Sequence, residues 1–142
     1  MNLPRTTLPA LAAAAVLVLA ACGSEAEEDA STGRTVEVEM VDIGFEPTEL
    51  IVTKGETVTF ELINNGDVVH EAFVGDTAAQ ADHAEEMDDG GGHHREDSDA
   101  IEVEPGETET LTYTFDEAGP TEIGCHQPGH YDGGMKLDVT VS

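Results

Sequence analysis

The stretch Cys125-His126-Gln127-Pro128-Gly129-His130-Tyr131-Asp132-Gly133-Gly134-Met135 sets a thiol, an imidazole and a thioether at successive intervals of five residues. No regular element brings that spacing to one point, since strand faces recur every second residue and helix faces every third or fourth. Pro128-Gly129 and Gly133-Gly134 provide the turns that let the segment fold back on itself. Thiolate and thioether are soft ligands and imidazole is borderline. Together they suit copper in both oxidation states, whereas zinc sites rarely include Met. Cys125, His130 and Met135 are therefore candidate copper ligands. His126 adjoins Cys125 but is expected on the opposite face of extended backbone, outside the ligand set.

Two imidazoles, one thiolate and a weak axial thioether form the known mononuclear electron-transfer set. The second imidazole must come from another part of the chain. His70 is the candidate, on a strand that a Greek key can lay beside the Cys125 segment. Held between two sheets, the ion would change its geometry little between oxidation states, which lowers the reorganisation needed for electron transfer.

Outward from this segment the sequence alternates with period two. Val36, Val38 and Met40 alternate with Glu37 and Glu39, and Val58, Phe60 and Leu62 alternate with Thr57, Thr59 and Glu61. Leu111, Tyr113 and Phe115 repeat the pattern, and Leu137, Val139 and Val141 close it. Short strands are expected at Leu50 to Val52, Val68 to Val74, Ile101 to Val103 and Thr121 to Cys125. Lys54-Gly55, Asn64-Asn65-Gly66-Asp67 and Pro105-Gly106 read as turns. Seven or eight such strands point to an all-β, antiparallel Greek-key sandwich. Residues 76–99 break the period. A helix is expected over Thr77 to Asp89, with Asp76 as N-cap and Gly90-Gly91-Gly92 ending it. In this insertion His83 and Met87 share a helix face and His93-His94 follow, which makes His83, Met87, His93 and His94 a candidate second, weaker copper site. The competing reading is an acidic surface loop with incidental histidines.

Residues 35–142 resemble the cupredoxins. The carboxyl half matches their Cys-x4-His-x4-Met loop, and the amino half their pattern of Phe45-x-Pro47, Lys54-Gly55, Val58-x-Phe60, Asn64 and His70. His70-Glu71-x-Phe73 with a His- and Met-bearing insertion is similar, more narrowly, to small bacterial copper-tolerance cupredoxins. The resemblance implies one type 1 copper, with His70 and His130 as imidazole ligands, Cys125 as thiolate and Met135 as axial ligand. Many electron-transfer members carry Asn directly after the first His, and its hydrogen bonds tie the two ligand loops together. Glu71 stands there instead, so the ligands are retained but the usual tie is not.

The amino terminus is read as a lipoprotein signal over residues 1–21. Arg5 precedes an apolar run too short to span a bilayer comfortably, which ends at Leu19-Ala20-Ala21-Cys22. Cys22 would carry the lipid, residues 22–33 would form a disordered acidic tether, and residues 34–142 the domain. Cys125 is then without a disulfide partner in an oxidising compartment, which a metal would resolve. After the signal the chain holds 31 acidic and 4 basic residues, formally −27, which disfavours binding to nucleic acid or anionic headgroups. That charge suits a solvated, salt-adapted surface or a docking face for a basic redox partner.

The functional expectation is a monomeric one-electron carrier, lipid-anchored at the outer, extracytoplasmic face of a bacterial cell membrane and touching it only through Cys22. A copper-tolerance or copper-handling role for the insertion is the alternative. Enzyme activity is not expected: the protein fills all four coordination positions, and the loop lacks the second Cys of a binuclear oxidase site.

Overall fold

The computed structural model describes residues 33–88 and 99–142. Among these residues nine strands form two facing sheets. The first sheet comprises β1 (Arg34–Val41), β2 (Gly44–Glu46), β4 (Thr57–Asn64) and β7 (Thr108–Thr114), in the order β2-β1-β4-β7. The second comprises β3 (Glu49–Val52), β5 (His70–Gly75), β6 (Ala100–Val103), β8 (Gly119–Gly124) and β9 (Lys136–Val141), in the order β3-β9-β8-β5-β6.

The period-two residues do what their spacing demands. Val38 and Met40 from β1 and Val58, Phe60 and Leu62 from β4 are completely buried and face Ile123, Leu137 and Val139 of the other sheet in one apolar core. With no Trp available, the three buried phenylalanines fill much of the remaining volume. Phe60 meets Phe115 edge-to-face at 6.3 Å, within the favoured range for aromatic pairs.

The sandwich is as expected, but its sheets are mixed rather than wholly antiparallel. β1 runs parallel to β4, with Val36 opposite Phe60, and β3 runs parallel to β9, with Leu50 opposite Val139. Period two reports which face a residue occupies and carries no information about strand direction. The short β2 was also not expected; it is only three residues long and pairs with the end of β1.

α1 (Thr77–Asp88) confirms the helical insertion. Asp76 caps it as expected: its Oδ1 accepts the Ala79 N–H at 2.9 Å, and its carbonyl accepts the Gln80 N–H. The expected Gly-run terminus lies outside the described residues. α1 lies against β5 and β8, covering the outer side of the second sheet. As a result β5 is buried on both faces: His70, Ala72 and Val74 point one way and Glu71 the other, and Glu71 is only 2% exposed. This explains the nearly continuous apolar reading of residues 68–74.

Phe60→Ala is expected to destabilise the fold by about 3–5 kcal/mol through lost burial and a residual cavity. Equilibrium denaturation should show the lower midpoint with an unchanged slope.

Candidate metal centre

His70 opens β5, and its position is set by the turn before it. The buried Asn64 side chain donates to the carbonyls of Val68 and Val103, both at 2.8 Å, and its Oδ1 accepts the Gly66 N–H at 2.9 Å. The turn is thereby stapled to β6 and pressed against the histidine. A Cβ on Gly66 would stand 2.8 Å from His70 Nε2 and 2.3 Å from Asp42 Oδ1, so this site requires glycine. Asp42 is oriented by the Asp67 N–H and brings Oδ1 to 3.3 Å from His70 Nε2. The pair is close enough for attraction, yet Nε2 makes no hydrogen bond of acceptable geometry. A carboxylate on the far ring nitrogen is the usual support of a metal-binding histidine. Burial lowers the His70 pKa, His130 lowers it further, and Asp42 works in the opposite direction. The ring is thus held toward the neutral form that a metal needs.

β8 delivers Cys125 to the same point, and the loop after it closes as its spacing suggested. Gly129 and Gly134 adopt φ of 81° and 98°, the left-handed region open to glycine. The His130 N–H donates to Gln127 O, and the Gly133 N–H to Gly129 O. Met135 ties the loop shut: its N–H donates to His130 O at 3.0 Å, and its carbonyl accepts the Cys125 N–H at 3.2 Å. Cys125, His70 and Met135 are fully buried, while His130 is partly exposed.

Three donor atoms converge. His70, Cys125 and His130 each offer a ligand atom within 4.8 Å of the others. Both imidazoles turn Nδ1 toward the sulfur, at 4.0 Å for His70 and 3.5 Å for His130. Those separations suit ligands about 2.0–2.3 Å from a shared ion. Burial raises the Cys125 thiol pKa most strongly, and backbone N–H groups of Glu71 and Gln127 oppose it. Without a metal this sulfur is a protonated thiol; a bound cation would deprotonate it.

The tie that Asn supplies in many relatives is made here by Glu71. Its N–H donates to Cys125 Sγ at 3.3 Å, and its Oε2 accepts the His126 N–H at 3.2 Å. One residue thus bridges the strand of the first candidate ligand and the loop of the others. His126 lies apart from the converging donors, as expected. Its ring stacks on Tyr131 and its Nε2 hydrogen bonds to Gln80 Oε1 at 2.7 Å. Burial, aided by His83 and Lys136, lowers its pKa to about 4. Of the candidate second site, His83 turns inward to Glu71 Oε1 at 3.0 Å and stacks on Phe73, and Met87 is partly buried farther along α1. His93 and His94 lie outside the described residues, as does Cys22.

Sequence reasoning missed Asp42, Gln80 and the Glu71 bridge. A signal for the last was present: Glu71 follows His70 in an otherwise apolar run, so a buried carboxylate in need of donors was implied.

A family model described as a cupredoxin-like domain matches residues 11–88, more than half of the chain. The chain is a member of the cupredoxin family. That match ends within α1; the Cys125 loop lies beyond it, and its geometry is the independent part of the case. Among curated proteins, this cupredoxin is 34% identical over 141 residues to the copper-resistant cuproprotein CopI of Pseudomonas aeruginosa, covering 79% of this chain and 78% of that one. It is 37% identical over 113 residues to CopI of Rubrivivax gelatinosus, covering 79% and 68%. Among solved structures, auracyanin A of Chloroflexus aurantiacus, described as a "blue" copper protein, matches with TM-score 0.64 and 28% identity, covering 78% of this chain and all of that one. Auracyanin of Roseiflexus castenholzii matches in fold with TM-score 0.66 at 24% identity, over 79% and 98%. The cofactor of this cupredoxin is a type 1 copper, which suits the donor set.

Gly66→Ala is expected to leave a folded protein with weaker copper retention. Asp42 is exposed and can swing away from the new methyl, but the buried His70 ring cannot. Competition with a copper chelator checks this, with circular dichroism as the control for folding.

Proposed function

We propose that His70, Cys125, His130 and Met135 hold one copper and that the protein exchanges single electrons through it at the outer face of a bacterial membrane. The observation that carries this reading is the convergence of two imidazoles and one thiol in a buried site, with Met135 tied back against both His130 and Cys125. Copper supplies the one-electron couple between Cu(II) and Cu(I). The protein would supply a largely buried cage in which these four side chains hold the ion and leave no position for a substrate. His130 is the one of the four that reaches the surface, so electrons would pass through its ring edge. Ile43, 49% exposed beside Gly133, adds an apolar contact there, and the acidic surface favours a basic protein partner. The lipobox-like run ending at Cys22 supports a lipid anchor as the sole membrane contact of a monomer.

A second reading is copper tolerance, favoured by the two CopI relatives, which are described as copper-resistant. The readings separate by experiment. A carrier should oxidise or reduce a basic redox protein rapidly in stopped flow, with rates falling as salt rises and screening shortens to about 10 Å at 0.1 M. A tolerance protein should leave its deletion strain copper-sensitive. Slow, salt-independent exchange with a sensitive strain removes the carrier reading; the opposite pair of results removes the tolerance reading.

Two substitutions test the ligands. Cys125→Ala should abolish the intense thiolate-to-copper charge-transfer band of the Cu(II) protein, visible by absorption spectroscopy. Met135→Leu should keep one copper but raise the reduction potential, since losing a thioether donor favours the lower charge of Cu(I). Voltammetry showing an unchanged or lower potential would remove Met135 from the set.

A further inference from the structure

α1 is an unusual helix to keep against a β-sandwich. Its one fully buried side chain is a glutamine, so apolar burial does not explain why it stays docked. Polar contacts hold it, and they cluster beside the copper ligands. Gln80 Nε2 donates to Glu122 O at 2.9 Å and Phe73 O at 3.2 Å, while its Oε1 accepts from His126 Nε2. His83 stacks on Phe73 at 4.0 Å and donates from Nε2 to Glu71 Oε1. α1 therefore grips two residues: Glu71, directly after His70, and His126, directly after Cys125. Those two are joined to each other by the His126 N–H to Glu71 Oε2 bond, and Glu71 N–H points at the sulfur. Gly124 keeps the approach open, since a Cβ there would lie 2.6 Å from Gln80 Oε1 and 2.8 Å from the Tyr131 ring.

We infer that Gln80 and His83 are positioning residues for the copper site, which hold the Glu71 N–H on Cys125 Sγ and so keep the reduction potential high. This rests on Cys125 being the thiolate ligand. An N–H dipole aimed at the sulfur draws electron density from the thiolate and favours the less positive Cu(I) state. When α1 lets go, the Glu71 carboxylate loses one donor and its backbone is freer to leave the sulfur. Both changes lower the potential. The insertion is then part of the metal centre's tuning, beyond any capacity of its own to bind metal.

The test uses the full chain with three substitutions. His83→Phe keeps the stack on Phe73 but loses the bond to Glu71, His83→Gln restores a donor, and Gln80→Met keeps volume but loses every polar contact. Voltammetry and the thiolate charge-transfer band are read on the copper-loaded protein. Amide hydrogen exchange at Glu71 and His126 is read by NMR on the copper-free protein. His83→Phe and Gln80→Met should lower the potential and shift the band. Exchange at the two amides should speed up by about tenfold, the scale of one lost hydrogen bond. His83→Gln should recover most of each change. An unchanged potential and unchanged amide exchange in His83→Phe, with only a lower melting temperature, would overturn the inference and leave α1 as mere cover. His83→Phe decides by itself if Gln80→Met does not fold. Failure of the ligand assignment appears differently, as a wild-type Cu(II) protein with no charge-transfer band, while the amide-exchange arm still reports whether α1 holds Glu71.

Discussion

The hydrogen bonds of Glu71 join the two halves of the site. His70 comes from a strand early in the domain, and Cys125, His130 and Met135 from one loop late in it; nothing in their local sequences fixes the distance between them. Glu71 does so twice, through its N–H to the Cys125 sulfur and its carboxylate to the His126 N–H. A buried carboxylate is costly unless its lone pairs find donors. Here the cost selects one arrangement, because the donors are the His126 backbone and the His83 ring. Burial itself depends on α1, which closes the outer face of β5. The helix, the carboxylate and the spacing of the candidate donors are in this sense one structural unit.

Much of this was legible in the sequence because the relevant signals are local. Alternation in Val58-Thr59-Phe60-Glu61-Leu62 marks a face whatever the strand pairs with, and β4 buries those apolar residues. Asp76 before a helix-forming run is a cap wherever the helix docks. The five-residue spacing of Cys125, His130 and Met135 works because loop closure is decided within the loop by two glycines with positive φ. What was not legible is non-local. The parallel pairings of β1 with β4 and β3 with β9 depend on topology, which period two does not encode. Asp42 reaches His70 only because the turn at residues 64–67 folds against the end of β1. Gln80 reads in the sequence as one more polar residue of an amphiphile-poor helix, yet it is among the most buried side chains of the domain.

The surface obeys a different economy from the interior. With 31 acidic residues and so few basic ones, close ion pairs are scarce among the described residues, where Arg34 with Glu56 is the one involving a permanent cation. Lys136 instead lies over the Tyr131 ring at 4.0 Å, at the edge of the same polar cluster that holds His126. Self-repulsion on this scale opposes compaction, so the domain leans on its continuous apolar core and on uncharged ladders such as Thr57 with Thr114 and Thr59 with Thr112.

The parallel pairing of β3 with β9 has a kinetic consequence. Residues 49–52 remain a bare edge until residues 138–141 arrive beside them. β9 lies between β3 and β8, so the second sheet is in two pieces before then, and the loop from Cys125 to Met135 has only one anchored end. During synthesis the thiol and the imidazoles would therefore exist for a time as separate, unclosed parts. Closure of long-range pairs of this kind is slow compared with local turns. Competence to hold the ion thus arrives at one late step, so a partly emerged chain would neither trap the metal prematurely nor release it from a half-built cage.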